Sequence, residues 1–422
     1  MKRKEILAIL VFFIAFTCGF FCTPNRCLAE TPQEVRIGVT APLTGPAAEA
    51  GVALKEGAIM AAEEWNADGG IYIKEAGKKL PVKILVEDCQ SKPEVGVSVG
   101  EKLITRDKVN MLIGDMLHSS VTMAVMELAP KYGIPILSAE PVSTEIAKKV
   151  KANPKRYWSY WKGNWNSDAL GGAVFDTYKY LIEKGLFKPK SKKIAFIVED
   201  TDWGRSNAQK ASEFFKGAGW ETLTTETVPL GHTDFYPQLT KIKSMSPDIL
   251  VTSFTPLSSG VACTKQFHEL GLKCGHMGIY YPSRPEYLSQ VGKMGNYLLW
   301  TTSFIDPVNI PRHKEFARKV QKRWGVTPNM DHASGYDVVY NALDSIKRAE
   351  SLDPKTIVES LSKLDRPGVL GRYVFNQEDH AILAGEDYIP VPGIQIQNGK
   401  DVVIYPSSLA VGFYQKPPWM NN

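Results

Sequence analysis

Val35-Arg36-Ile37-Gly38-Val39-Thr40-Ala41-Pro42-Leu43-Thr44-Gly45-Pro46 is the stretch that decides the fold. Its β-branched residues alternate at Val35, Ile37 and Val39, which is the pattern of a buried strand. The prolines and glycine that follow cannot continue a ladder, so the strand ends in a loop. A helix comes next, with Val52, Ala53, Gly57, Ala58, Ala61, Ala62 and Trp65 along one face. In a parallel α/β sheet such a loop lies at the carboxyl end of its strand, where these folds bind ligands.

The same alternation continues outward from this stretch. Strands are expected at 80–87, 109–114 and 135–139, with helices at 92–105 and 119–132 between them. Residues 156–165 read RYWSYWKGNW and break the texture. A second series then runs through strands at 192–199, 221–228, 248–254 and 276–281, with helices at 204–217, 235–244 and 257–270. Helices at 312–324 and 333–349 return to the first domain. The extended segments 371–377 and 388–405 close the chain, the latter around an Asn398-Gly399 turn. Strands alternating with helices mean parallel sheets and right-handed crossovers. The expected class is α/β, with two wound parallel-sheet lobes joined by three crossing segments near 157–162, 301–307 and 371–388.

The amino terminus, Met1-Lys2-Arg3-Lys4 followed by an apolar run from Ile6 to Phe16, has the make-up of a secretory signal. The run is too short to span a bilayer, which takes about 20 apolar residues. Cys27-Leu28-Ala29 places cleavage after Ala29, so residues 1–29 are expected to be removed. A lipid on Cys18 or Cys22 is the rival, although Ala15-Phe16-Thr17 and Gly19-Phe20-Phe21 fit a lipobox poorly. Losing Lys2, Arg3, Lys4, Arg26 and Glu5 lowers the net charge from +5 to +2. A nearly balanced chain gives no reason to expect nucleic acid. Cys89, Cys263 and Cys274 remain, either as buried thiols or with Cys263 paired to Cys274.

Enzyme signatures fail on context. Gly96-Val97-Ser98-Val99-Gly100 spells a nucleophile elbow, yet Ser98 falls inside an expected helix rather than on a strand-to-helix turn. His268-Glu269 lacks the second histidine of a zinc protease, and no cysteine–histidine grouping suggests a metal. No phosphate loop or dinucleotide fingerprint is present, so no cofactor is expected.

The opening stretch resembles the substrate-binding proteins of branched-chain amino acid ABC transporters, which begin IGV-x-x-P-L-T-G. Gly335-Tyr336-Asp337 is similar to a second landmark of that family. The resemblance covers nearly all of residues 30–422 and implies a type I periplasmic binding protein fold. The amino-terminal lobe would comprise 30–160 plus 301–385, and the carboxy-terminal lobe 161–300 plus 386–422. It further implies a monomer without enzymatic activity, located in the periplasm, that binds a small solute by hinge closure and delivers it to membrane permease and ATPase subunits.

Carried over residue by residue, the resemblance puts the ligand carboxylate near His118 and Ser119. The first-lobe amino acid clamp falls near Ala139 and Glu140, with the family's threonine missing from Pro141-Val142. The second-lobe tyrosine becomes Trp203, and the acidic residue that holds an ammonium aligns with Tyr280 or Tyr281. The family's disulfide partner for the Cys89 position is absent from the His118 loop. Thr44 and Thr255 stand in loops at strand ends, and Trp161 on a crossing segment would add to a π-rich cleft. Trp158 and Trp165 read as core. Glu140 either holds an amine or amide or is an exposed loop carboxylate. The expected ligand is a carboxylate-bearing solute, a branched-chain or related amino acid or an aromatic acid. An amide or urea-type solute, or service as the sensing subunit of a receptor, is the alternative.

Overall fold

The computed structural model describes residues 31–420. The signal segment, its cleavage after Ala29 and the lipobox alternatives lie outside the described residues.

Two sheets organise the chain. The first has five parallel strands in the order Val82–Asp88, Val35–Ala41, Met111–Ile113, Ile136–Ser138, Tyr160–Lys162. The second has seven, in the order Lys400–Tyr405, Gly393–Gln397, Leu299–Thr301, Gly275–Tyr280, Ile249–Phe254, Lys193–Glu199, Glu221–Val228. Its first two pairings are antiparallel and the rest are parallel. Val35, Ile37 and Val39 are fully buried, as the opening alternation requires. The chain passes between the sheets three times: after Tyr160–Lys162, after Leu299–Thr301, and again before Gly393–Gln397.

Local chemistry explains where elements depart from the expected spans. The helix expected over 119–132 is two, Ser119–Val125 and Leu128–Tyr132. Pro130 supplies no amide for the Met126 carbonyl, so the helical ladder cannot run through it. A short hairpin, Ile71–Ile73 with Lys78–Leu80, takes Leu80 away from the expected strand. The helix expected from 333 starts at Met330, because the Asn329 side chain accepts the amides of Asp331 and His332. Cys89, Cys263 and Cys274 are free and buried, which removes the Cys263–Cys274 bridge. Ser98 lies within the helix Pro93–Thr105. Among the described residues, no helix is long and apolar enough to cross a membrane.

The helix Met330–Ala349 returns to the first lobe by packing on the helix Ala48–Ala67. Two glycines set the spacing. A Cβ on Gly335 would stand 2.0 Å from the Leu54 carbonyl oxygen, and one on Gly57 would stand 2.0 Å from that of His332. Backbone thus meets backbone where a side chain would force the helices apart. Gly335→Val is expected to lower stability by about 3 kcal/mol through overpacking. Chemical denaturation checks this, and an unchanged midpoint would mean that the helix pair separates without penalty.

Candidate functional site

A cavity with about 500 Å³ of atom-free space, counting its mouth, lies where the carboxyl ends of strands from both sheets face each other. His118, Ser119, Ser120 and Glu140 line it from the first lobe. Glu199, Thr201, Trp203, Thr255 and Tyr280 line it from the second, and Asn164, Trp165, Thr302 and Met330 come from crossing segments or just beyond them.

The first-lobe wall is built around Asp115. Its backbone lies at φ 47°, and its Oδ1 accepts the amides of Leu117 at 2.6 Å and His118 at 2.9 Å. This fold-back of the loop aims His118 inward. The His118 ring is buried with neither nitrogen hydrogen-bonded, and burial lowers its pKa to about 4, so it is neutral at pH 7. Glu140, only 5 % exposed, follows strand Ile136–Ser138, which overturns the reading of it as an exposed loop carboxylate. Burial raises its pKa while the Arg284 guanidinium pulls the other way.

Glu199 ends the second lobe's strand Lys193–Glu199. Burial pushes its pKa up to about 7, opposed by hydrogen bonds from the Thr255 amide and hydroxyl, both 2.7 Å, and the Thr201 hydroxyl at 3.2 Å. Thr201 also caps the helix Asp202–Gly217 by accepting the Gly204 amide, which fixes Trp203 at the cavity edge. The Trp203 ring meets Tyr280 edge-on, with centroids 6.0 Å apart.

Tyr280 joins the lobes. Its hydroxyl accepts from Arg284 Nη2 at 2.7 Å and lies 2.8 Å from Asp331 Oδ1 and 3.3 Å from Glu140 Oε2. Arg284 also pairs through Nη1 with Asp331 Oδ2, and both side chains are almost wholly buried. Tyr280 and Arg284 belong to the second lobe, Glu140 and Asp331 to the first. The Tyr280 backbone is held at φ 75°, ψ −62°, a conformation costing on the order of 1–3 kcal/mol for a residue with a side chain.

Of the ten residues singled out from sequence, His118, Ser119, Glu140, Trp203, Thr255 and Tyr280 line this cavity. The other four lie outside its lining. Tyr281 points to the opposite face of the sheet, where its buried hydroxyl is 2.9 Å from the Thr252 hydroxyl. Trp161 stacks on His380 at 4.0 Å between ring centroids. Ala139 is buried in the core, one residue before the side chain that reaches the cavity. Thr44 donates to Asp88 Oδ2 at 2.6 Å, which ties down its own loop. Trp165, read as core, is buried and also lines the cavity. Glu199, Arg284 and Asp331 were not singled out. An acid closing the apolar run Ile194-Ala195-Phe196-Ile197-Val198 was the one signal that marked Glu199.

Residues 34–388 match the sequence pattern described as "periplasmic binding protein". The chain belongs to that family. Leu/Ile/Val-binding protein homolog 7 of Brucella suis is 24 % identical over 401 residues, spanning 92 % of this chain and 96 % of the relative. The solute binding protein of an R. palustris ABC transporter in complex with benzoate superposes with a TM-score of 0.74 at 17 % identity, over 88 % of this chain and 95 % of that one. The substrate binding protein LivJ of Streptococcus pneumoniae in complex with isoleucine gives 0.73 at 23 % identity, over 87 % and 97 %. These likenesses show the type I periplasmic binding protein fold, the fold of solute-binding proteins of transporters rather than of enzymes.

The network around Tyr280 makes a specific demand on the family's two-lobed plan. Arg284→Met leaves Asp331 buried without its cation, a situation that costs about 3–5 kcal/mol unless the carboxylate regains water. Opening the lobes restores that water. Small-angle scattering of Arg284→Met is therefore expected to show a larger radius of gyration than the parent protein, with circular dichroism unchanged. An unchanged radius together with a lower unfolding midpoint would show that losing the ion pair destabilises the protein without opening the lobes.

Proposed function

We propose that this protein is the extracytoplasmic binding component of an ABC importer and that it grips a small amino acid between its lobes. The observation that carries the ligand class is the pairing of unsatisfied polar atoms in one buried cavity. His118 Nδ1 and Nε2, Trp165 Nε1 and Glu140 Oε1 have no hydrogen-bond partner. Buried polar atoms in native proteins are nearly always paired, so a cluster of orphans of both kinds calls for a ligand with both kinds of group. A neutral imidazole N–H and the Ser119 and Ser120 hydroxyls suit a carboxylate. Glu140 and Glu199 suit an ammonium. Trp203, Val142, Leu170 and Met330 leave an apolar side chain somewhere to go.

An aromatic acid is the second reading, favoured by Trp165, Trp203 and Tyr280 in the lining and by the benzoate-bound neighbour. It has to face two buried carboxylates without an unpaired cation, because Arg284 is engaged with Asp331. Such a ligand would bind with those carboxylates protonated. The make-up of residues 1–29 supports export, and the family supports delivery to permease and ATPase subunits.

The two ligand classes separate by pH. Glu199 has its folded pKa raised, so it favours the folded protein below the ordinary carboxylate range and loses that contribution as pH rises through about 7, where the cavity comes to hold an ionised carboxylate. An ammonium prefers the ionised carboxylate. Affinity for a branched-chain amino acid is therefore expected to rise as pH passes upward through 7, with proton release in calorimetry. Affinity for benzoate should fall over the same range. A flat profile for both would remove Glu199 from contact with the ligand.

Trp203→Ala should weaken binding of whichever solute a thermal-shift screen identifies by at least tenfold, since a buried aromatic face carries about 1.5–3 kcal/mol. Unchanged calorimetric affinity would take Trp203 out of the site.

A further inference from the structure

The second lobe has a groove at the end of its sheet opposite the cleft. Ser191, Asp248 and Cys274 line the groove just before the strands Lys193–Glu199, Ile249–Phe254 and Gly275–Tyr280. Glu199, Thr255 and Tyr280 line the cleft at the other ends of those strands, about 20 Å away at the rise of a strand. The groove has about 1870 Å³ of atom-free space, counting its open mouth.

Its charge is one-sided. Lys188, Lys190, Lys243, Lys273 and Lys416 surround it, and its single carboxylate is Asp248. That carboxylate is already saturated, accepting the amides of Lys190, Ser191 and Lys193 and the Ser191 hydroxyl at 2.6–3.1 Å. Lys188, Lys273 and Lys416 are exposed and make no ion pair among the described residues. With the whole chain only +5, this is a local concentration of positive charge rather than general basicity. Leu186, 38 % exposed, and Met420 add apolar surface beside the lysines, while Phe187 and Leu272 are buried beneath.

We propose that this groove docks the anionic phospholipid headgroups of a bilayer, with phosphates on the lysines and the glycerol and first acyl carbons against Leu186 and Met420. Lysines alone would accept any phosphate; the apolar side chains of Leu186 and Met420 beside them are what favour a lipid. The site is independent of the cleft ligand.

Co-sedimentation of the purified protein with phosphatidylglycerol-containing vesicles and with pure phosphatidylcholine vesicles tests this. Binding is expected on the anionic vesicles only, and it should vanish in about 1 M salt, where the screening length is about 3 Å. The variant Lys188→Gln/Lys273→Gln/Lys416→Gln should bind roughly a hundredfold more weakly, as expected for three lysines leaving an anionic surface. A control of equal charge, Lys78→Gln/Lys322→Gln/Lys355→Gln, should bind as the parent does. No binding to the anionic vesicles, or equal loss in the control, overturns the proposal. So does release from vesicles by millimolar inorganic phosphate that also raises the unfolding temperature without vesicles present, since the occupant would then be free phosphate.

Discussion

The hydroxyl of Tyr280 is the point at which the two lobes become one object. It lies against Arg284 from its own lobe and against Asp331 and Glu140 from the other. Removing a guanidinium and two carboxylates from water costs several kcal/mol each, and mutual attraction repays this only in good geometry. These groups meet where the two lobes meet. Apart, each group can recover its hydration. Contacts that trade hydration for pairing between two lobes are the kind of balance that a ligand bridging both walls could shift.

The strained backbone at Tyr280 fits this role. The strand Gly275–Tyr280 stops there, and the positive φ sends one tyrosine into the cleft while the next fills the core of its own lobe. The cation–π contact with Arg284, 4.8 Å from guanidinium to ring centroid, holds the ring in place. Glu140 completes the arrangement from across the gap. Its pKa, raised by burial, leaves a carboxyl that answers to whatever the cavity holds.

The wound lobes were legible in the sequence because each strand and helix declares itself within a dozen residues. The alternation of Val35, Ile37 and Val39 and the apolar face of the following helix need no partner to be recognised. The site was legible only to the extent that it sits at strand ends. Between Tyr280 and Tyr281 the choice rests on where the strand stops, which the run Gly278-Ile279-Tyr280-Tyr281-Pro282 leaves open by one residue. A one-residue slip exchanges the faces. The burial of Glu140 and the pairing of Arg284 with Asp331 arise between lobes. No local pattern encodes a contact made only when two separately folded units meet. The Glu199 carboxyl was hidden differently, as the last residue of a strand whose polar end looks like an ordinary terminus.

The most direct measurement of the central claim, that a solute is gripped by both lobes at once, is a crystal structure of the protein with a bound ligand. The ligand is predicted to lie with its carboxylate at His118 and Ser119 and its ammonium between Glu140 and Glu199, with the Arg284–Asp331 pair intact behind it. A ligand held by the residues of one lobe alone, with the Tyr280 network open, would contradict the account.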